Sequence, residues 1–131
     1  MIPLSAQEKN SIPPCPDSPN CVSTLAKKKR QKMTPLPFYG SLKQSIQAIK
    51  KVVNEFERVQ LIEETDLYLH YTFETKWGNF IDDVEFLADT NHQVMHFRSA
   101  SRVGYGDFGA NKRRMRKITR KWKAQMSIKK K

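Results

Sequence analysis

The sequence predicts a single α+β domain, a four-stranded antiparallel sheet with two helices packed on one face, in the order helix-strand-strand-strand-strand-helix. Three observations predict it. Apolar residues recur at helical spacing in two separate stretches, a period of two runs through the region between them, and 131 residues with 38% hydrophobic content suit one core. No internal repeat divides the chain further.

Residues 1–37 hold all seven prolines, with polar residues and a lysine run between them, and predict an extended, irregular arm. Regular structure is expected from Ser41, an N-cap residue type, and Leu42, Ile46, Ile49, Val53 and Phe56 then mark one buried stripe of a helix over 41–57. Strands are expected over 59–64 and 67–75, the second placing Leu67, Leu69, Tyr71 and Phe73 inward and Tyr68, His70, Thr72 and Glu74 outward. A turn follows at Trp77-Gly78-Asn79. Residues 82–88 and 93–101 form the next pair, joined through Asp89-Thr-Asn-His92. Pairing Ala88 with Gln93 sets Phe86 against Met95, Val84 against Phe97 and Asp82 against Ser99, with Glu85 by His96 and Asp83 by Arg98 on the other face. That register joins apolar to apolar and acid to base. The second helix is expected from Ala110 to Met126, buried through Met115, Ile118, Trp122 and Met126. The organisation is thus an arm over 1–37, a domain over 38–126 and a basic tail over 127–131 that frays.

The net charge of +11 is unevenly placed. Lys27 to Arg30 with Lys32 give five positives near the start, and eleven more follow Asp107, after which there is no acid. Residues 33–107 carry seven basic and eleven acidic side chains, so a mildly acidic body lies between two basic ends. Such an asymmetry points to a polyanion, with Lys112, Arg113, Arg116, Lys117, Arg120 and Lys121 as its contacts. The plainer reading is a solvated helix face. An anionic membrane surface, nucleic acid and a small anionic ligand are the partner classes this charge suits, and the chain is expected to be a monomer. No window approaches the ~18 apolar residues of a membrane span, and the first five residues lack the basic and apolar regions of a secretory signal. The expectation is a soluble chain that carries no address.

Cys15 and Cys21 enclose a short turn-rich loop and form a disulfide in an oxidising compartment or stay reduced in a reducing one. A zinc site needs about four ligands, and the three histidines lie far along the chain, so neither a metal nor a cofactor is expected.

Functional groups are densest from Arg98 to Asn111, between the last strand and the last helix. Arg98, Ser99, Ser101, Arg102, Asp107 and Asn111 are candidates for an anion pocket, because guanidinium groups and a helix start both offer donors to an oxyanion. The same residues, with Asp82, Asp83 and Arg114, also make sense as scaffold, through ion pairs from Asp83 to Arg98 and from Asp107 to Arg102. Gly104, Gly106 and Gly109 do not have phosphate-loop spacing and serve tight turns. Trp77 and Tyr105 read as core lids more readily than as stacking platforms. Asp82 and Asp83 are adjacent in a strand and point to opposite faces, so they cannot share a reacting atom. Ser99 and Ser101 share a face with Asp82 but have no histidine beside them, which leaves an enzyme poorly supported.

Three segments carry a resemblance. Cys15-Pro-Asp-Ser-Pro-Asn-Cys-Val-Ser23, Phe80-Ile-Asp-Asp-Val-Glu-Phe86 and Arg98-Ser-Ala-Ser-Arg-Val-Gly104 with Asp107-Phe-Gly-Ala-Asn111 resemble the domain of unknown function 1499 family over roughly residues 15–123. The resemblance implies one α+β domain, often exported or membrane-anchored, with no agreed activity and no catalytic role to carry over, and that membrane association places an anionic membrane surface ahead of nucleic acid as the expected partner. This chain differs in its lysine content and in lacking an export segment.

Overall fold

The computed structural model describes residues 11–76, 80–103 and 109–130, with side chains through Ser127. Six strands form one sheet: β1 (Cys21–Ser23), β2 (Leu36–Pro37), β3 (Val59–Glu64), β4 (Tyr68–Glu74), β5 (Ile81–Asp89) and β6 (Val94–Ser101). Helix α1 (Leu42–Val53) precedes β3, and α2 (Ala110–Lys130) follows β6. The strand order is β1-β6-β5-β4-β3, and β2 also lies along β6; all named pairs are antiparallel.

The four expected strands are present, and two more come from the arm. β1 lies beside Arg98 to Ala100 and β2 beside Val94 and Met95, so both occupy the outer edge of β6. Strands of two or three residues carry little alternation to read. What fixes them is the free edge of β6, whose backbone groups need partners.

Helix α1 begins where expected. Ser41 Oγ accepts from Gln44 N–H while Gln44 Oε1 accepts from Ser41 N–H, a reciprocal capping box. The helix stops at Val53, four residues before the expected end, because the chain turns through Asn54 and reaches a left-handed Arg58 (φ 57°) to enter β3. Phe56 still packs on the core from this turn. Helix α2 runs on to Lys130, beyond the expected Met126 and through most of the segment read as a frayed tail.

Both helices cover one sheet face. Ile46, Ile49, Val52 and Val53 of α1 and Met115, Ile118 and Trp122 of α2 share a core with Leu69, Tyr71, Phe73, Val84, Phe86, Met95 and Phe97. Burying side chains of this size contributes roughly 1.5–3 kcal/mol each.

The β5–β6 register corrects the expected one. Phe86 faces Phe97, Val84 faces Ser99, Asp82 faces Ser101 and Glu85 faces Arg98. The loop is Thr90 to Gln93, closed by Asp89 Oδ1 accepting from His92 N–H at 3.1 Å and by Gln93 in the left-handed region (φ 55°). Moving the turn centre by one residue moves the register by two. A shift of two preserves faces, so inward and outward residues stay as expected while every partner changes.

The second correction concerns Tyr68. It was expected outward and does lie on the face away from the helices, yet it is fully buried with Leu87 under Ile12 of the arm. A bond between Cys15 and Cys21 ties the arm to β1. Among the described residues no helix is long and apolar enough to cross a membrane.

Candidate functional site

Alternation along β5 and β6 divides the expected site residues between the two sheet faces. On the helix face, Asn111 in the first turn of α2 is fully buried. Its Oδ1 accepts from Ser99 Oγ at 2.6 Å and from Arg114 Nη1 at 2.8 Å, while its Nδ2 donates to Ser101 Oγ at 3.0 Å and to the Asn20 carbonyl at 3.2 Å. Arg114 also donates through Nη1 to Ser99 Oγ at 3.1 Å and through Nη2 to Asp82 Oδ2 at 2.7 Å. Its guanidinium lies over the Phe73 ring, 4.9 Å from the centroid. This network joins α2, β5, β6 and the disulfide loop.

On the opposite face the cations meet different acids. Arg98 donates to Glu85 Oε1 at 3.2 Å, and Glu85 Oε2 accepts from Tyr68 Oη. Arg102 forms a two-bond fork with Asp83, at 2.9 and 3.0 Å, and His70 Nε2 lies 2.7 Å from Asp83 Oδ1. The expected pair of Asp83 with Arg98 is therefore replaced by Glu85 with Arg98, the consequence of the two-residue register shift. Arg102 pairs with Asp83. Asp107, with Gly104, Tyr105, Gly106 and Trp77-Gly78-Asn79, lies outside the described residues. Gly109 adopts φ 78°, the turn geometry expected of a glycine there.

Electrostatics follow the geometry. Burial alone would raise the Asp83 pKa, but the hydrogen bonds from Arg102 and His70 outweigh it and hold the carboxyl below its usual range. The same fork raises the Arg102 pKa. Burial, reinforced by the Glu85 carboxylate, pushes the Tyr68 phenol far upward.

The structure brings together Ser99, Ser101 and Asn111 and sends Arg98 and Arg102 to the other side of the sheet. The chemistry of each group is restrained by its partners. The Ser99 hydroxyl donates to an amide oxygen and accepts from a guanidinium, so no base receives its proton. Among the described residues no three histidine, cysteine or carboxylate side chains converge as metal ligands do. Asn20, Tyr68 and His70 were missed in the sequence. Nothing local marks Asn20, whereas the outward position of His70 beside β5 was legible once β4 was paired.

The six candidate contacts on α2 begin its basic face. Arg113, Arg116, Lys117 and Arg120 are exposed, and Lys112 and Lys121 are half-buried. Lys121 pairs with Glu55 at 2.7 Å, and Lys117 lies over the Phe56 ring at 5.4 Å.

No curated protein and no solved structure matches this chain. A family model described as "Protein of unknown function (DUF1499)" matches residues 11–121, a span that takes in the disulfide loop, both polar networks and most of α2. On that span, the chain belongs to the DUF1499 family.

Proposed function

We propose that the protein is a non-enzymatic binding module that presents the outer face of α2 to an anionic lipid surface. The observation that carries this reading is the charge of that helix. From Ala110 to Lys130 there is no acidic residue, and Arg113, Arg116, Lys117, Arg120 and Lys123 are exposed at spacings of three and four. Like charges so placed destabilise a helix, and a negative surface relieves them. By contrast, Arg98, Arg102 and Arg114 are each matched by an internal carboxylate, which makes an anion pocket at the strand-to-helix corner the weaker reading.

Two features favour lipid over nucleic acid. Phe80 and Val103 are 51% and 56% exposed, and exposed apolar side chains on a basic protein suit a headgroup interface. The Cys15–Cys21 bond also supports an oxidising compartment.

Flotation with phosphatidylcholine vesicles, with and without phosphatidylglycerol, tests the reading. Binding is expected only with the anionic lipid and fades as salt is raised. The variant R116Q/R120Q/K123Q should bind roughly 100-fold more weakly, at ~1 kcal/mol per residue. Unchanged binding by that variant overturns the proposal. Preference for duplex DNA over the vesicles would transfer the same face to nucleic acid.

A further inference from the structure

We infer that the groove between the turn after α1, the end of β4 and the first half of α2 is a seat for a phosphomonoester group. The inference rests on the reading of α2 as the anion-facing helix and adds the chemistry of what it holds. The groove has a volume of about 580 Å³, room for a phosphoryl group and part of its carrier.

Its α2 wall is set by helical spacing. Arg113, Lys117 and Lys121 follow one another at intervals of four, so they line one edge of the helix. Arg114 lines it too, but Asp82 already holds that guanidinium, as Glu55 holds the Lys121 ammonium. Lys117 differs. Among the described residues it meets the face of Phe56 and no carboxylate. The facing wall contributes Lys76 and Arg58, with Glu57 and Glu74 on the rim, and Arg58 neutralises Glu57 at 3.2 Å.

The floor supplies what a charged rim lacks. Phe56 and Phe73 meet edge to face with centroids 5.5 Å apart, an apolar base that weakens the competition of water for a bound anion. Thr75, at the end of β4, also lines the groove, and its buried hydroxyl has no hydrogen-bond partner. A buried polar group without a partner is uncommon and calls for an explanation. A phosphomonoester dianion has three terminal oxygens and can meet an ammonium and a guanidinium together, and also the Thr75 hydroxyl once that side chain turns from its solvent-shielded position toward the groove. A carboxylate has only two, and a phosphodiester offers one fewer charge.

The carrier is either a lipid or a soluble metabolite, and two probes distinguish them. Flotation compares vesicles containing phosphatidic acid, a monoester, with vesicles containing phosphatidylglycerol, a diester; calorimetry measures free glycerol 3-phosphate. Wild type is expected to prefer the monoester in at least one format. Calorimetric binding marks a soluble carrier, and a preference confined to vesicles marks a lipid headgroup. Lys117→Gln should lower monoester binding roughly tenfold, the loss of one charge-assisted contact, and lower phosphatidylglycerol binding by no more than any other single charge of the face does, so that the preference for the monoester shrinks. Thr75→Val should also weaken monoester binding, without loss of thermal stability, since it removes a hydroxyl that has no partner. Equal binding of monoester and diester lipid with no calorimetric heat overturns the groove. If R116Q/R120Q/K123Q still loses vesicle binding in that case, the basic-face reading stands without it. Glycerol 3-phosphate bound in the absence of any vesicle binding would reverse that outcome, keeping the seat and removing the membrane.

Discussion

Arg114 shows how much one side chain holds together. Its guanidinium joins Asp82, Ser99 and Asn111 in surroundings where both charged partners are largely excluded from water. Removing one member of a buried pair strands the other, so Arg114→Leu is expected to lower stability by about 3–5 kcal/mol in urea melts. Adding Asp82→Leu should recover a large part of that loss; an equal or greater loss in the double variant would mean that packing, not charge, dominates. Asp83 supports a pH prediction. Its folded pKa lies below the unfolded value of about 3.9, so its ionised form contributes stability above that pH and loses it as pH falls through the lowered value. Asp83→Asn should therefore destabilise the protein by about 1–2 kcal/mol near neutrality, allowing for the partial exposure of the pair, and the gap from wild type should close below pH ~4. A gap independent of pH would show that the lost contribution is packing.

Secondary-structure elements here are fixed partly by local chemistry and partly by their neighbours. The capping box of α1 is local, and Ser41→Ala is expected to lower stability by about 1 kcal/mol. Gly40→Ala should do at least as much harm. Its φ of 67° disfavours a side chain, and a Cβ there would run into Gln44, the other half of the box. Thermal melts of the two variants, with Tm lowered in both, check the pair; a neutral Gly40→Ala would show that the turn relaxes. The β5–β6 hairpin shows the limit of local reading. Acid-to-base matching fits Asp83 with Arg98 as well as Glu85 with Arg98, and only the turn geometry at Asp89 and Gln93 separates them.

At the scale of the whole molecule, the arm is part of the fold. It adds β1 and β2 to the sheet edge, places Ile12 over Tyr68 and Leu87, and sends the Asn20 carbonyl to Asn111. The cysteines close a loop with a separation of 6 residues, for which chain entropy gives a stabilisation of about 2 kcal/mol. Cys15→Ser/Cys21→Ser should lower stability by that amount and speed amide exchange in residues 15–23. If exchange accelerates equally in α1, far from the bridge, the arm and the core unfold as one unit.

The sequence by itself determined the α+β class, the two amphipathic helices, the four long strands with their faces, and the basic character of the last helix. Each of these is written in periodicity or charge, properties that neighbouring residues carry between them. Tertiary structure decided the rest. It recruited Cys21–Ser23 and Leu36–Pro37 to the edge of β6, covered Tyr68, paired Arg98 with Glu85 and Arg102 with Asp83, and made Asn111 the meeting point of α2, β6 and the disulfide loop. Those outcomes depend on which groups lie within a few ångströms after the chain has closed, and partners up to 91 residues apart leave no local pattern by which to find one another.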